Sequence, residues 1–177
     1  LDYFLQYKNQ GLESLQHKIG INETFLNIIF EKVYEDYTHA DVVIQLPDNN
    51  EVLIECKYTE FKFDYIKEPK EEHINKFNGT SNQTTTNYSQ INKLMKKQKL
   101  QMQDFFDNYQ LFRNVYNAFK DNKKGYVIAL VPEKNKNVIN QFNQFKDDLM
   151  NKYGFIYSDR VILVFWENLS FNDSEFN

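Results

Sequence analysis

Two short apolar runs near the end of the chain most constrain its fold. The runs "GYVIALVP" (125–132) and "RVILVFW" (160–166) have almost no polar positions, and the amphipathic segment "NVINQFNQFKDDLMNKY" (137–153) separates them. Strands without a polar face are buried on both faces, which is typical of parallel strands covered by helices. The sequence therefore predicts an α/β fold that contains a parallel strand–helix–strand unit.

The other segments predict the remainder of a mixed sheet. The segment "INETFLNIIFEKVYEDY" places apolar residues at helical spacing, which predicts a helix from Asn22 to about Tyr37. Residues 41–46 and 51–58 flank the turn-like "PDNN" and are predicted to form a β-hairpin. Residues 88–119 carry an apolar stripe and predict one or two further helices. The expected architecture is a mixed β-sheet flanked by helices, with an α-β-β-β-α-β core.

Length and composition suit a single domain over residues 1–177. The 177 residues are 41% apolar and 16% aromatic, which is enough for one hydrophobic core. Residues from about 61 to 90 are polar and lack a sustained period, so we expect a flexible, substrate-facing insertion there, loosest in "NGTSNQTTTN". The single cysteine, Cys56, excludes an internal disulfide, and no apolar run approaches 20 residues. We therefore expect a cytoplasmic protein without membrane contact.

Charged residues interrupt the apolar pattern at the end of the hairpin. Glu55 and Lys57 are two apart, so both side chains point to one face of a strand. A three-residue loop over 48–50, with Asn50 in the left-handed region, would place Asp41 on the same face, across from Lys57 and diagonal to Glu55. A two-residue loop at 49–50 would turn Asp41 away unless a bulge restored it. The expected geometry thus brings three charged groups together.

These charges have an ordinary explanation and a functional one. Asp, Glu and Lys on a solvated sheet face form weak ion pairs. The residues before Glu55 are "VLI", however, which are apolar on both faces and indicate an internal strand. A carboxylate and an ammonium at the end of a buried strand are costly unless they bind a metal or each other. The sequence context therefore favours a functional site.

The same residues resemble the PD-(D/E)xK nuclease superfamily, which has the restriction-endonuclease-like fold. Asp41 on one strand, "ECKYTE" at the end of the next and "QLFRN" on a later helix carry the resemblance, which covers about residues 22–169. The Glu-x-Lys-Tyr-Thr-Glu run is similar to that of a group of restriction-endonuclease-like proteins. Ala40 replaces the proline usual before the acidic residue, and the insertion is long. The resemblance implies a metal-dependent DNA endonuclease, of the kind found in restriction or phage defence.

The resemblance also implies roles for individual residues. Asp41, Glu55 and the Cys56 carbonyl would bind Mg²⁺, with Mn²⁺ as a substitute, since Mg²⁺ prefers oxygen ligands. Lys57 would orient or deprotonate the attacking water, or stabilise the phosphorane. A further catalytic acid is expected on the first helix, where Glu23 fits the pattern and Glu31 and Glu35 are alternatives.

DNA contacts are expected from two helix surfaces. Gln110 and Arg113, three apart, share a helix face that could turn toward the phosphate, and Gln110 would then join the catalytic group. The net charge of −4 repels a polyanion, so DNA binding requires a local basic patch. The run "KLMKKQK" places Lys93, Lys96 and Lys97 on a predicted helix and supplies one.

Two other function classes stay open from the sequence alone. A DNA-binding module on the same fold could lack turnover, and a structural or interaction protein could carry the hairpin charges as surface ion pairs. Metal-dependent cleavage separates an endonuclease from both. A double-strand cutter needs two active sites, which makes a homodimer an attractive assembly.

Overall fold

The structure is a computed structural model that describes residues 16–17, 20–80 and 86–169. Its strands are β1 (Asn27–Val33), β2 (His39–Gln45), β3 (Glu51–Cys56), β4 (Tyr126–Val131) and β5 (Val161–Phe165). They form one five-stranded sheet in the order β1-β2-β3-β4-β5. The pairs β1–β2 and β2–β3 are antiparallel, whereas β3–β4 and β4–β5 are parallel.

Helices cover one face of this sheet. They are α1 (Glu71–Asn78), α2 (Met102–Asp107), α3 (Tyr109–Phe119) and α4 (Lys136–Asp147), and α4 continues into a π-helical turn, Asp148–Tyr153. Short 3-10 turns lie at Pro47–Asn49, Tyr88–Leu94, Lys120–Asn122, Ser158–Arg160 and Trp166–Asn168. The mixed sheet with flanking helices confirms the predicted α/β fold class. No helix within the described ranges is both long and apolar enough to cross a bilayer.

The parallel unit lies where the apolar runs predict it. All six residues of β4 are buried, and β4 lies between β3 and β5. Helix α4 connects β4 to β5 and buries Val138, Ile139, Phe142 and Phe145, which recur at helical spacing. Asn135 caps its first turn by accepting a hydrogen bond from the Val138 N–H at 3.4 Å.

Side-chain parity divides the core into two layers. On one sheet face, Val43 and Leu53 pack beneath α3 and α4 in the larger cluster. On the other face, Ile44 and Ile54 belong to a separate buried cluster. Residue 55 has the parity of Leu53, so the Glu55 side chain faces the helix-covered layer.

The helix predicted over Asn22 to Tyr37 is wrong, because this segment contains strand β1. Ile28 pairs with Ile44 and Phe30 with Val42, so this segment forms the strand that pairs antiparallel with the outer edge of β2. Short apolar runs fit a helix and a strand about equally well, and here the backbone pairing with β2 decides the outcome.

The hairpin loop has the predicted length but a different position. Leu46 N–H donates to Asn50 O at 2.9 Å, which closes a three-residue loop over Pro47–Asn49. Asp48 and Asn49 occupy the left-handed region with φ of 58° and 61°, whereas Asn50 has φ of −74°. The prediction that Asn50 is left-handed is therefore wrong.

The pairing register moves by two residues as a result. Val42 lies opposite Ile54, so Asp41 continues the ladder opposite Glu55 rather than Lys57. A shift of two preserves the face to which each side chain points.

The polar segment from about 61 to 90 is better packed than its composition indicates. It contributes α1 and the beginning of the Tyr88–Leu94 turn, and Phe63, Phe77 and Tyr88 are buried in the larger cluster. Packing of these three rings contradicts the expectation that the whole segment lies outside the core. The centre of the stretch expected to be loosest, residues 81–85, lies outside the described residues.

Candidate active site

Asp41, Glu55 and Lys57 lie together where β3 ends. Strands β3 and β4 are parallel, so their carboxyl-terminal ends are adjacent, and antiparallel β2 begins at the same end of the sheet. The Lys57 N–H donates to Leu130 O at 2.9 Å, which continues the backbone pairing one residue past β3. The sheet itself therefore positions the backbone of these residues.

Glu55 is a buried carboxylate held by three side chains. It is 4% exposed. Its Oε1 accepts a hydrogen bond from Gln110 Nε2 at 2.6 Å and lies 3.1 Å from Lys57 Nζ. Its Oε2 accepts from Asn114 Nδ2 at 3.4 Å. The orientation of the carboxylate is thus fixed from both sides.

The two carboxyl groups share a poorly solvated space. Burial, followed by the negative charge of Asp41, raises the pKa of Glu55 to about 7, although Lys57 and Asn114 favour its ionised form. Burial also raises the pKa of Asp41, against the opposing effects of the Cys56 N–H and the Lys57 ammonium. Two carboxylates whose ionisation is disfavoured form a site that would gain from a bound cation.

Backbone and ring contacts place the remaining groups. Asp41 Oδ2 accepts a hydrogen bond from the Cys56 N–H at 2.7 Å, which links the start of β2 to the end of β3. Lys57 is 6% exposed, and its Nζ lies 5.7 Å from the centre of the Phe63 ring. Burial and the two neighbouring carboxylates raise the pKa of the Cys56 thiol to about 12, so the thiol stays protonated near neutral pH.

Helix α3 supplies the polar groups that bind Glu55. Gln110 and Asn114 are one helical turn apart, so they share the helix face that meets the sheet. Sequence reasoning anticipated Gln110 but missed Asn114, which is 1% exposed. Its Oδ1 has no hydrogen-bond partner in the described structure. The i, i+4 spacing of Gln110 and Asn114 in a helix with many apolar residues was the signal that could have found it.

The site offers fewer side chains that could bind a metal ion than a site in which protein ligands surround the ion. Within the described ranges, no three side chains of His, Cys, Asp or Glu come together as a possible metal site. Asp41 and Glu55 are the acidic pair that the site offers.

Comparison with known families then places the chain. The model of the REase-ARP family, described as "Restriction Endonuclease associating with ARP", matches residues 3–171. The chain belongs to this family. No curated protein and no solved structure matches it. Membership of the REase-ARP family gives the chain a nuclease-related role.

Arg113 of this REase-ARP chain turns away from the carboxylate pair. Its Nη2 donates to Asp36 O at 3.0 Å and its Nε lies 3.5 Å from Asp36 Oδ2. Asp36 is 2% exposed and also accepts hydrogen bonds from Tyr88 OH and Thr38 Oγ1. Arg113 therefore ties the β1–β2 turn to α3, and the structure does not direct it toward a phosphate.

Glu23 lies at the other end of the sheet. Its carboxylate accepts a hydrogen bond from Tyr126 OH at 3.3 Å, and Tyr126 begins β4, whereas the acidic pair lies near the end of β3. The structure therefore does not bring Glu23 to the site. Of its alternatives, Glu31 is close enough for its charge to raise the pKa of Asp41, and Glu35 lies 3.8 Å from Lys120 Nζ.

The expected lysine patch is also distant from the REase-ARP site. Lys93 lies in a 3-10 turn and Lys96 and Lys97 in irregular backbone, so the predicted helix is absent here. Lys97 Nζ donates to Asn151 O at 2.8 Å, beyond the end of α4. Helix α4 starts near the acidic pair and runs back about 18 Å along the sheet. The lysines thus lie toward the opposite end of the molecule.

Proposed function

We propose that the chain is a metal-dependent nuclease of the PD-(D/E)xK type that hydrolyses phosphodiester bonds in DNA, in a restriction or phage-defence system. The observation that carries the proposal is the grouping of three charged residues at the end of β3, where Asp41 Oδ2 accepts from the Cys56 N–H at 2.7 Å and Lys57 Nζ lies 3.1 Å from the Glu55 carboxylate. Family membership supports the nuclease class.

The donor set fits Mg²⁺. Asp41 and Glu55 offer hard carboxylate oxygens, and the pKa of both groups is raised by burial and then by the negative charge of neighbouring carboxylates, which a bound cation would offset. Mg²⁺ keeps several waters, so two carboxylates and the Cys56 carbonyl would suffice as protein ligands. When bound, the cation would neutralise charge on the scissile phosphate and acidify a water near it. Mn²⁺ would serve as a substitute.

The chain's own residues would orient the reaction. Gln110 and Asn114 hold both oxygens of Glu55, and the Cys56 N–H holds one oxygen of Asp41, so the acidic pair is arranged before substrate arrives. Lys57 is kept beside Glu55 and would direct the attacking water or stabilise the charge that develops on phosphorus.

Bond making and breaking are then straightforward. A water oxygen attacks phosphorus, the bond from phosphorus to the leaving sugar oxygen breaks, and a proton of the water passes by way of solvent to that oxygen. Lys57 is the only described amine within hydrogen-bond distance of the Glu55 carboxylate, which makes it the preferred group for orienting the water.

The test is cleavage of circular and linear DNA with Mg²⁺, with Mn²⁺ and with chelator. We expect divalent-dependent nicking by the wild type and none by Glu55→Gln or Lys57→Ala. The matched control is Glu51→Gln, because Glu51 is equally buried on β3 but pairs with Lys32 at the other end of the strand.

The outcomes separate the function classes. Cleavage that survives Glu55→Gln, or that needs no divalent ion, would refute the assignment of the site. Tight DNA binding without cleavage under any metal would favour a binding module on the same fold. Gel filtration of the active protein would test the expected homodimer, since a monomer that cuts both strands at once would contradict it.

A further inference from the structure

Two aromatic side chains project into solvent directly beside the proposed active site. Tyr58 follows Lys57 in the chain, and Tyr58 and Phe61 are each 73% exposed. Most aromatic rings of this chain behave differently, since they pack in the core, as Phe63 of the same loop does at 0% exposure. Rings of this size that stay exposed beside the proposed active site offer apolar area to a ligand.

The loop that carries these rings is braced. Glu60 Oε2 accepts hydrogen bonds from the Tyr58 N–H at 2.8 Å and the Thr59 N–H at 3.1 Å. Glu60 O in turn accepts from Asn135 Nδ2 at 2.8 Å, which anchors the loop at the start of α4. These hydrogen bonds fix the backbone of the loop. The side chains of Tyr58 and Phe61 remain exposed on it, whereas Phe63 of the same loop is buried in the core.

The far end of the loop is joined to the active site itself. The Asp64 N–H donates to Gln110 Oε1 at 3.2 Å, and the Gln110 N–H donates to Asp64 O at 3.1 Å. The same Gln110 side chain binds Glu55 at 2.6 Å. A ligand that contacts Tyr58 and Phe61 would therefore lie against a surface continuous with the carboxylate pair.

Within the described residues, no other ring or cation lies on the faces of the Tyr58 and Phe61 rings. A neighbouring ring, Tyr65, differs in this respect, because Lys62 Nζ lies 3.7 Å from its centre and covers one of its faces. Among the described residues, no ring or cation contact of this kind involves the side chain of Tyr58 or Phe61. Flat, unoccupied aromatic faces suit stacking with another flat group.

The net charge of the chain and the depth of the proposed active site indicate which flat group would stack on these rings. The lysines expected to hold a duplex backbone lie toward the other end of the molecule, and the chain carries a net charge of −4. Without that patch, stacking on the two rings would supply a larger share of the affinity at this site. Glu55 and Lys57 are 4% and 6% exposed, so the reacting phosphate must enter a recess. An unpaired strand can enter a recess with its bases turned out.

We propose that Tyr58 and Phe61 are a stacking surface for unpaired bases, and that the preferred substrate is single-stranded nucleic acid or the frayed end of a duplex. This inference rests on the proposed function and narrows its substrate class. Stacking of one base on one ring contributes about fivefold to more than a hundredfold in affinity.

The test is fluorescence anisotropy in chelator, so that no substrate is cut. Labelled single-stranded DNA, single-stranded RNA and duplex DNA of one sequence are titrated with wild type, Tyr58→Ala/Phe61→Ala, and the conservative Phe61→Trp. Met150→Ala is the control, because Met150 is an exposed apolar residue beyond α4 and away from the site. Thermal unfolding confirms that each variant is folded.

We expect wild type to bind single strands more tightly than duplex, and the double variant to lose about tenfold or more on single strands. The salt dependence of binding should change little, because stacking releases no counterions. Phe61→Trp and Met150→Ala should bind as wild type does. Comparison of single-stranded DNA with single-stranded RNA would show which sugar the surface accepts.

Two results would overturn the inference. One is a double variant that binds single strands as tightly as wild type, and the other is a wild type that prefers duplex. If metal-dependent nicking persists in either case, only the stacking surface falls and the nuclease proposal stands. If wild type neither binds nor cuts nucleic acid, both fall.

Discussion

Replacing Glu55 with a neutral residue should remove the part of the loss in unfolding free energy at neutral and higher pH that the ionisation of this carboxyl causes. The pKa of Glu55 is about 7 in the folded protein and about 4.5 in an unfolded chain. Between these values the folded state binds more protons than the unfolded state, so the free energy of unfolding falls as pH rises. The gap of about 2.5 pKa units, at about 1.4 kcal/mol per unit, corresponds to a full loss of about 3–4 kcal/mol between a pH well below 4.5 and a pH above 7.

The assay compares the wild type with Glu55→Gln by urea unfolding at pH 5 and pH 8 in chelator. The fluorescence of Trp166, the single tryptophan, can report the transition. We expect the stability of the wild type relative to the variant to fall by about 2–3 kcal/mol over this interval, which is about 1 M in urea midpoint. Mn²⁺ should reverse much of that fall in the wild type alone, since a bound cation favours the ionised carboxylate.

A difference between the two proteins that stays constant from pH 5 to pH 8 would refute the reasoning. It would mean that Glu55 titrates alike in the folded and unfolded states, so that burial beside Asp41 carries no electrostatic cost. The comparison also requires that the two proteins have the same slope of unfolding free energy against urea concentration, because equal slopes show that both unfold to the same extent.

Three further outcomes are expected. Asp41→Asn should keep or raise the melting temperature in chelator and abolish its rise with Mn²⁺, whereas a large loss in chelator would show a structural carboxylate. Asp36→Ala should lower the free energy of unfolding by about 3–5 kcal/mol in chemical denaturation, because it leaves a partly buried guanidinium unpaired; a loss below about 1 kcal/mol would contradict this. Reversal of Lys93, Lys96 and Lys97 to Glu should leave cleavage within about twofold of wild type, since they lie away from the site; salt-sensitive loss of cleavage would instead support their predicted role in holding DNA.

The grouping of charges could be predicted because local rules govern it. A buried strand that ends in Glu-x-Lys places both side chains on one face, and the alternation of strand residues then brings Asp41 to the same face. The predicted register was wrong by two residues, yet the face was the same, because side-chain direction repeats every two residues. Gln110 was expected near the site with Arg113, because the two are three apart on one helix face, and the structure brings Gln110 to Glu55 and Arg113 to Asp36.

The unpredicted features depend on contacts distant in sequence. Strand β1 was predicted as a helix because its apolar spacing fits both, and only the edge of β2 decides between them. The placement of Glu23 failed with that helix. Asn114 was missed because its partner, Glu55, is 59 residues away in the chain. Arg113 looked available on its helix, but the acid that binds it lies in the turn between β1 and β2.

The three-residue loop over Pro47–Asn49 limits how this hairpin can change in length. Asp41 and Glu55 are far from the loop, but the loop helps to set which residues of β2 and β3 lie opposite one another, together with the pairing of β2 to β1 and of β3 to β4. A change of loop length that slipped this pairing by one residue would turn the side chains of one strand to the other face and remove Asp41 from Glu55, whereas a change absorbed by the loop or by a bulge would not. Changes of two residues would keep both carboxylates on one face. A library that randomises the length of this loop should therefore retain activity where the pairing is unchanged and lose it where the pairing slips by one residue.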